Sequence, residues 1–248
     1  MKRHICLLFA FLFVVTSVSA QTKAQADSAY IEKEYAQACE IYESLLQKGE
    51  SGEIYYNLGN AYFKQNQLGR AILNYERALL LLPGNADVSA NLDIARAKTV
   101  DKINPNPEIF FVAWTRALIN MLYVDTWGTW GISLFFCALA ALSIYFFAKG
   151  VKWRKIGFFT ALISLILCIV TNLFAYEQKR KIDHRTDAIV LSPSVTVRST
   201  PSDEGTSLFV IHEGRKVSIK DDSMREWKEI ILEDGKVGWI HVSAIEII

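Results

Sequence analysis

Two stretches without a single charge constrain this chain more than anything else in it: Trp130–Ala148 and Ile156–Tyr176. Each is about 20 residues long, the length a helix needs to cross the hydrocarbon of a bilayer. The second carries Leu, Ile, Phe or Val at 12 positions, each favouring insertion by roughly 0.3–0.6 kcal/mol. A core helix of a soluble protein would keep a polar stripe, and neither stretch has one. Trp127, Trp130, Trp153 and Tyr176 stand near the ends, at the level where interfacial aromatics belong. The expectation is a transmembrane hairpin of helices at 127–148 and 156–176. The loop between them, 149–155, holds four cations in seven residues, which makes it cytoplasmic by the positive-inside rule. Lys179, Arg180, Lys181 and Arg185 beyond the second helix argue the other way, so the extreme N-terminus decides.

Met1–Ala20 has Lys2 and Arg3, then the apolar run Ile5–Val15, then Val18-Ser-Ala20 as a small-residue cleavage site. This is the pattern of a secretory signal peptide, 1–20. An uncleaved anchor would change the helix count but still export the chain from Gln21. Both soluble parts are then periplasmic, in a multi-pass protein of the bacterial inner membrane. Charge follows the same division. Segment 21–104 has 9 Lys/Arg against 11 Asp/Glu, and 186–248 has 7 against 11, whereas 105–185 has 9 against 4. Cations gather at the membrane and both soluble parts are mildly acidic, which argues against a nucleic-acid partner. Of the four cysteines only Cys39 lies in an exported part, as a small core residue or an intermolecular thiol, so neither soluble part can form a disulfide within itself.

Between the signal and the hairpin the chain reads as helices. Tyr55, Leu58, Ala61 and Tyr62 share one helical face within Glu53–Asn66, and Ala71, Tyr75, Ala78 and Leu82 share another within Arg70–Leu82. Pro83-Gly84 stops the second helix and Asn85 caps a third, roughly Ala86–Val100. Tyr55, Leu58, Gly59, Tyr62, Ala71, Tyr75, Ala78 and Pro83 occupy the slots of the 34-residue W-x2-L-G-x2-Y, A-x3-F, A, P pattern. The segment 52–85 therefore resembles a tetratricopeptide repeat within a module 21–104. Ala38, Tyr42 and Leu45 suggest a degenerate copy upstream, and Asn91-Leu92 a partial one downstream. The resemblance implies binding on the inner faces of the first helices, here Glu53, Tyr56, Asn60, Phe63 and Lys64. Tyr56 and Phe63 are expected to seat an apolar side chain of a partner and Asn60 to hydrogen-bond its backbone.

Asn104-Pro-Asn-Pro107 ends the repeats. A connector, 105–126, follows with an amphipathic helix expected at Glu108–Val124, lying on the outer leaflet or docking another membrane protein. After a linker at 177–185, the segment 186–248 breaks into short strands separated by Pro, Gly, Asp and Ser, the signature of a small barrel. Val195-x-Val-Arg-Ser199-x-Pro201, Glu213-Gly-x-x-Val217, Trp227-x-x-Ile230 and Asp234-Gly-x-x-Gly238-Trp-Ile240 make this segment resemble a bacterial SH3 domain. That family binds cell-wall peptide or proteins. Trp227 and Trp239 either belong to its core or line its ligand groove.

No nucleophile–base pair, phosphate-binding glycine loop or metal motif is visible, so an enzyme, a cofactor and a metal site are not expected. The fold class expected is a multi-domain α plus β membrane protein: α-helical tetratricopeptide repeats, a two-helix transmembrane hairpin and a small all-β SH3-like barrel. That order of parts, with the Leu92–Ile103 stretch leading into the connector, resembles the BatE-like family of aerotolerance-operon membrane proteins. The resemblance implies a scaffold acting beside membrane proteins with von Willebrand A domains and, indirectly, a MoxR-type ATPase. The alternative is a peptidoglycan-binding anchor or a regulator of a wall hydrolase.

Overall fold

The computed structural model describes residues 22–102 and 109–248. The expected signal peptide and the Asn-Pro stretch of the connector lie outside the described residues. Five helices come first: α1 Lys23–Ile31, α2 Tyr35–Leu46, α3 Gly52–Lys64, α4 Leu68–Leu81 and α5 Ala86–Ala97. Thr22 and Gln25 form a reciprocal capping box at the start of α1, and the Asn85 side chain accepts from the amides of Asp87 and Val88 at the start of α5.

The pair α3–α4 is antiparallel and close. A methyl group on Gly52 would lie 2.5 Å from Leu82 Cγ at one end, and one on Gly59 would lie 2.7 Å from the Tyr75 ring in the middle. Tyr55, Leu58, Tyr62, Ala71, Tyr75 and Ala78 are all buried. The pair α1–α2 is a second copy of the same unit, 33 positions earlier. Lys33 and Asn66 both take positive φ, 67° and 60°. The following amides close the same six-to-one bond, Glu34 N to Ala29 O and Gln67 N to Tyr62 O. The buried tyrosine hydroxyl also repeats: Tyr42 donates to Asp27 at 2.5 Å and Tyr75 to Asn60 at 2.8 Å. Cys39 sits in this core at 5% exposure. Burial pushes its thiol up to about 11 despite the Gln65 amide at 3.1 Å, so it stays a protonated packing group at neutral pH.

The connector helix α6, Phe110–Ile119, is shorter than expected. It stops at Asn120 because Trp127 Nε1 and Gln178 Nε2 both cap the Ile119 carbonyl, at 2.9 and 2.6 Å. Then come α7, Val124–Phe147, and α8, Val151–Asp183, both long and apolar enough to cross a membrane. Their contact is lined by small residues, Gly131, Ala138 and Ala141 against Gly157, Ala161, Ser164 and Thr171. A methyl on Gly157 would lie 2.7 Å from the Ala141 carbonyl. Large apolar side chains, Phe135, Phe136, Ile163 and Ile166 among them, face outward. Two details differ from the sequence reading. The basic loop shrinks to the turn around Ala148–Gly150, and 151–155 is the first turn of α8. The expected linker 177–185 is helical through Asp183, because Glu177, Lys179 and Lys181 are good helix formers and Arg180 and Lys181 suit a helix C-terminus.

Seven strands follow: β1 Asp187–Val190, β2 Ser194–Arg198, β3 Ser207–His212, β4 Lys216–Asp221, β5 Trp227–Ile231, β6 Val237–His241 and β7 Ile245–Ile247. They form one antiparallel sheet in the order β3-β2-β6-β5-β4-β1-β7. Val190, Val197, Ile211, Val217, Ile230 and Ile240 pack into a single cluster on one face. Alternation sends Ile189 to the other face, into the core of the helices, where Ile248 joins it. Strand β1 is thus buried on both sides, between its own sheet and the repeats.

Polar contacts complete that seam. Glu213 accepts from the Gly69 amide at 2.7 Å, and Asp101 receives the His212 amide and faces its Nδ1, both at 2.8 Å. Gly214, at φ +83°, lets the turn approach Ile72, whose Cδ1 would lie 2.8 Å from any added Cβ. Glu76 pairs with Arg96 and with Lys216, the latter at 3.0 Å, and Lys216 also reaches Asp187 at 3.1 Å. Burial alone would lower the Lys216 pKa, but Glu76 and Asp187 together raise it. Arg77 donates to Glu246 and to the Ile247 carbonyl.

At the start of the sheet Arg185 forks onto Glu50. The Arg185 hydrogen bonds hold the Glu50 carboxyl below its ordinary 4.5. A depressed acid adds stability in full above its unfolded value, and loses it as pH falls through the folded one. The melting-temperature gap between wild type and Arg185→Gln should therefore close as the pH drops from about 6 to about 3. A gap of constant size would show that this pair does not stabilise the fold.

Candidate protein-interaction surfaces

The first surface is the face shared by the odd-numbered helices α1, α3 and α5. Helical spacing aligns Glu53, Tyr56, Asn60, Phe63 and Lys64 along α3, as expected. Glu53 and Lys64 are exposed at its two ends, and Tyr56, Asn60 and Phe63 are half-buried between them. The structure ties the middle of this row together. Asn60 Oδ1 accepts from Tyr75 Oη at 2.8 Å and from Asn91 Nδ2 at 2.9 Å, and Asn91 Nδ2 also reaches Tyr56 Oη at 3.0 Å. The Asn60 oxygen is thus engaged within the fold, as Asp27 is on Tyr42. Phe63 carries Lys98 over its ring, 4.3 Å from the centroid, a cation–π contact from the C-cap of α5. Among the five, the rings of Tyr56 and Phe63 remain the half-buried apolar groups on this face, flanked by one acid and two lysines.

Asn91 and Lys98 were not singled out from the sequence. Asn91 had a legible signal, since it opens the downstream half-repeat, but its bond to Asn60 depends on how α3 and α5 stack. The closed set Tyr75–Asn60–Asn91–Tyr56 fixes the side-chain positions of the face before any partner arrives, which lowers the ordering cost of binding.

The second surface is the outer face of β5 and β6. Pairing places Trp227 opposite His241 and Glu229 opposite Trp239, and period-two alternation puts all four on the face away from Ile230 and Ile240. The structure therefore brings Trp227 and Trp239 onto one side of neighbouring strands, both half-buried. Trp227 meets the His241 ring edge-to-face at 5.6 Å. Arg198 of β2 pairs with Trp239 on its other side, and Lys220 bridges to Glu229 at 3.1 Å. An aromatic pair rimmed by Arg198, Glu229 and His241 can stack on a planar or apolar group and hydrogen-bond around it. Among the described residues no cluster of His, Cys, Asp and Glu is arranged to hold a metal ion.

No curated protein matches the chain. Residues 52–85, the helix pair α3–α4 with the Pro83-Gly84 turn, match the tetratricopeptide repeat family model, and this repeat marks the chain as one that makes protein–protein interactions.

Proposed function

We propose that this protein is a non-enzymatic membrane scaffold. Helices α7 and α8 cross the inner membrane as a hairpin, the repeats hold a protein partner on the exported side, and the SH3-like sheet presents a second binding face beside them. The single observation that carries this reading is the seam. The repeats precede the hairpin and the sheet follows it, yet the two touch through Ile189, Ile248, Glu213 and Lys216. Two crossings return the chain to the side it left, so the seam agrees with a hairpin that spans. The apolar exterior of α7 and α8 supports the same reading, since in water it would be an exposed patch far larger than soluble proteins carry. The resemblance to BatE-like proteins suggests membrane partners with von Willebrand A domains and a link to a MoxR-type ATPase.

The repeats and the sheet share a core, so deleting either would disturb the other, and point variants are the sound test. Tyr56→Ala with Phe63→Ala should reduce in-cell crosslinking to co-purifying membrane proteins by about tenfold, the effect of losing an aromatic anchor worth roughly 1.4 kcal/mol or more. Trp227→Ala with Trp239→Ala should leave that capture intact. Capture lost with the tryptophan pair alone, together with recovery of wall fragments, would replace the scaffold by a peptidoglycan-binding anchor.

A further inference from the structure

Helix α6, Phe110–Ile119, buries none of its side chains. Phe110, Phe111 and Trp114 are 81, 67 and 52% exposed, and the Phe111 and Trp114 rings lie 6.3 Å apart. Three large rings within one and a half turns make an apolar patch that needs a cover. The Thr115 hydroxyl beside them donates to the Phe111 carbonyl at 2.9 Å, so it is satisfied within the helix. With 10 residues, α6 is about 15 Å long, half of a hydrocarbon core of roughly 30 Å. It can lie along a membrane but cannot cross one.

The level of α6 is fixed by the two long helices. Gln178 Nε2 donates to the carbonyls of Ile119 and Leu122, at 2.6 and 2.9 Å, and Trp127 Nε1 donates to the Ile119 carbonyl at 2.9 Å. The charge-free run of α8 ends at Tyr176, so Gln178 stands about 3 Å beyond it along the helix axis. Trp127 stands at the matching end of α7. These bonds hold the end of α6 where both long helices leave their apolar stretches. The rotation of α6 is fixed by the repeats. A methyl group on Gly84 would lie 2.5 Å from the Asn120 carbonyl, so the turn after α4 rests on the end of α6. Arg116 and Asn120 line the space under the repeats together with Leu79 and Pro83. Trp114 precedes Arg116, and Leu118 precedes Asn120, by two positions, about 200° around a helix. Trp114 and Leu118 therefore face away from the repeats, with Phe110 and Phe111 flanking them.

We propose that α6 lies in the bilayer leaflet on the side of the repeats, with Phe110, Phe111 and Trp114 at the boundary between headgroups and acyl chains, and that the repeats stand on it. The occupant of the patch is lipid because the patch continues, at the same level, the apolar exterior of α7 and α8. Its polar edge is the one covered by protein. Trp and Phe on the lipid side of a short helix suit this boundary. The inference rests on the membrane reading of α7 and α8. It also orients the repeats. Gly52 packs on Leu82, and Arg185, just past α8, forks onto Glu50. The Glu53 end of α3 is thus nearest the bilayer, and its Lys64 end points away.

The test uses the full chain, one copy per phosphatidylcholine nanodisc, with Cys6→Ala, Cys39→Ala, Cys137→Ala and Cys168→Ala as background. One cysteine is then added at a time and labelled with the fluorophore NBD, and lipids bearing a nitroxide quench it. Trp114→Cys and Phe110→Cys should each lose more emission to a nitroxide near the headgroup end of the acyl chain than to one near the methyl end, the signature of a depth of about 5–10 Å. Phe136→Cys, exposed in the middle of α7, should show the reverse order, and Lys64→Cys should lose none. Emission lost at 136 but at neither 110 nor 114 would overturn the proposal and leave the rings to water, a protein partner or a second copy. Stronger loss to the deep nitroxide at 110 and 114 would overturn it as well. No loss at 136 would overturn the membrane reading of the hairpin, and the proposal with it.

Discussion

Glu76→Ala should destabilise the fold by about 3 kcal/mol, the low end of what removing one member of a buried ionic cluster costs. Glu76 is 8% exposed and holds both Arg96 and Lys216. Its removal leaves two cations facing each other in the seam, with Asp187 as the remaining counterion of Lys216. Those cations are partly exposed, which keeps the loss near the lower figure. Denaturant unfolding of the full chain in detergent gives the value. Limited proteolysis locates it, because the sheet should become cleavable while α3–α4 stays protected. Glu76→Leu combined with Lys216→Met and Arg96→Met should recover much of the stability, since replacing the whole cluster by apolar groups avoids the desolvation cost. A Glu76→Ala protein as stable as wild type would mean that the apolar contacts of Ile189, Ile72 and Ile248 hold the seam unaided.

The second large effect belongs inside the repeat. Gly59→Leu should lower the melting temperature of the helical signal by on the order of 10 °C, from a loss of about 3 kcal/mol. The first added carbon already lies 2.7 Å from two atoms of the Tyr75 ring. That ring is 1% exposed and pinned by its hydrogen bond to Asn60, so it has nowhere to turn. The helices must separate, and the strain passes through Asn60 to Asn91 and Tyr56. Gly59→Ala should fall between wild type and Gly59→Leu, because its gain in helix propensity, about 1 kcal/mol, works against the same clash. Circular dichroism at increasing temperature decides it. Full stability of Gly59→Leu would disprove the close approach on which the repeat depends.

The repeat was legible because its information is local and periodic. Tyr55, Leu58, Gly59, Tyr62, Ala71, Tyr75 and Ala78 each fill one slot of a fixed spacing, and the spacing is the structure. The seven strands were legible for a related reason, since Pro, Gly and acidic turns punctuate them. Membrane-length runs announced α7 and α8 by composition alone. The seam left no such trace. Glu213, Asp101 and His212 look like ordinary solvated turn residues, and nothing near them in the chain names a partner more than a hundred positions away. The internal bonds of Asn60 were hidden for a subtler reason. Its position on the inner face is visible from periodicity, but its bond to Tyr75 is not, unless Asp27 and Tyr42 are aligned with it at the 33-residue offset. The extension of α8 to Asp183 was hidden by charge, which reads equally well as a linker and as a helix end. Gln178 showed no signal at all, because its role depends on two carbonyls at the end of α6.

The seam also bears on when the molecule becomes itself during synthesis. Gly69 meets Glu213 across 144 positions and Arg77 meets Ile247 across 170. Closing so long a loop adds little to the equilibrium cost, which grows only with the logarithm of length, but such distant contacts are slow to form. The repeats emerge first, and their partner strands emerge only after both apolar helices have been made. Until then Ile72, Glu76 and Gly69 present an unfinished edge. A chain whose long helices fail to turn back can never cover that edge, so the pairing of α7 with α8 is registered, residue by residue, on the surface of a module that was translated before it.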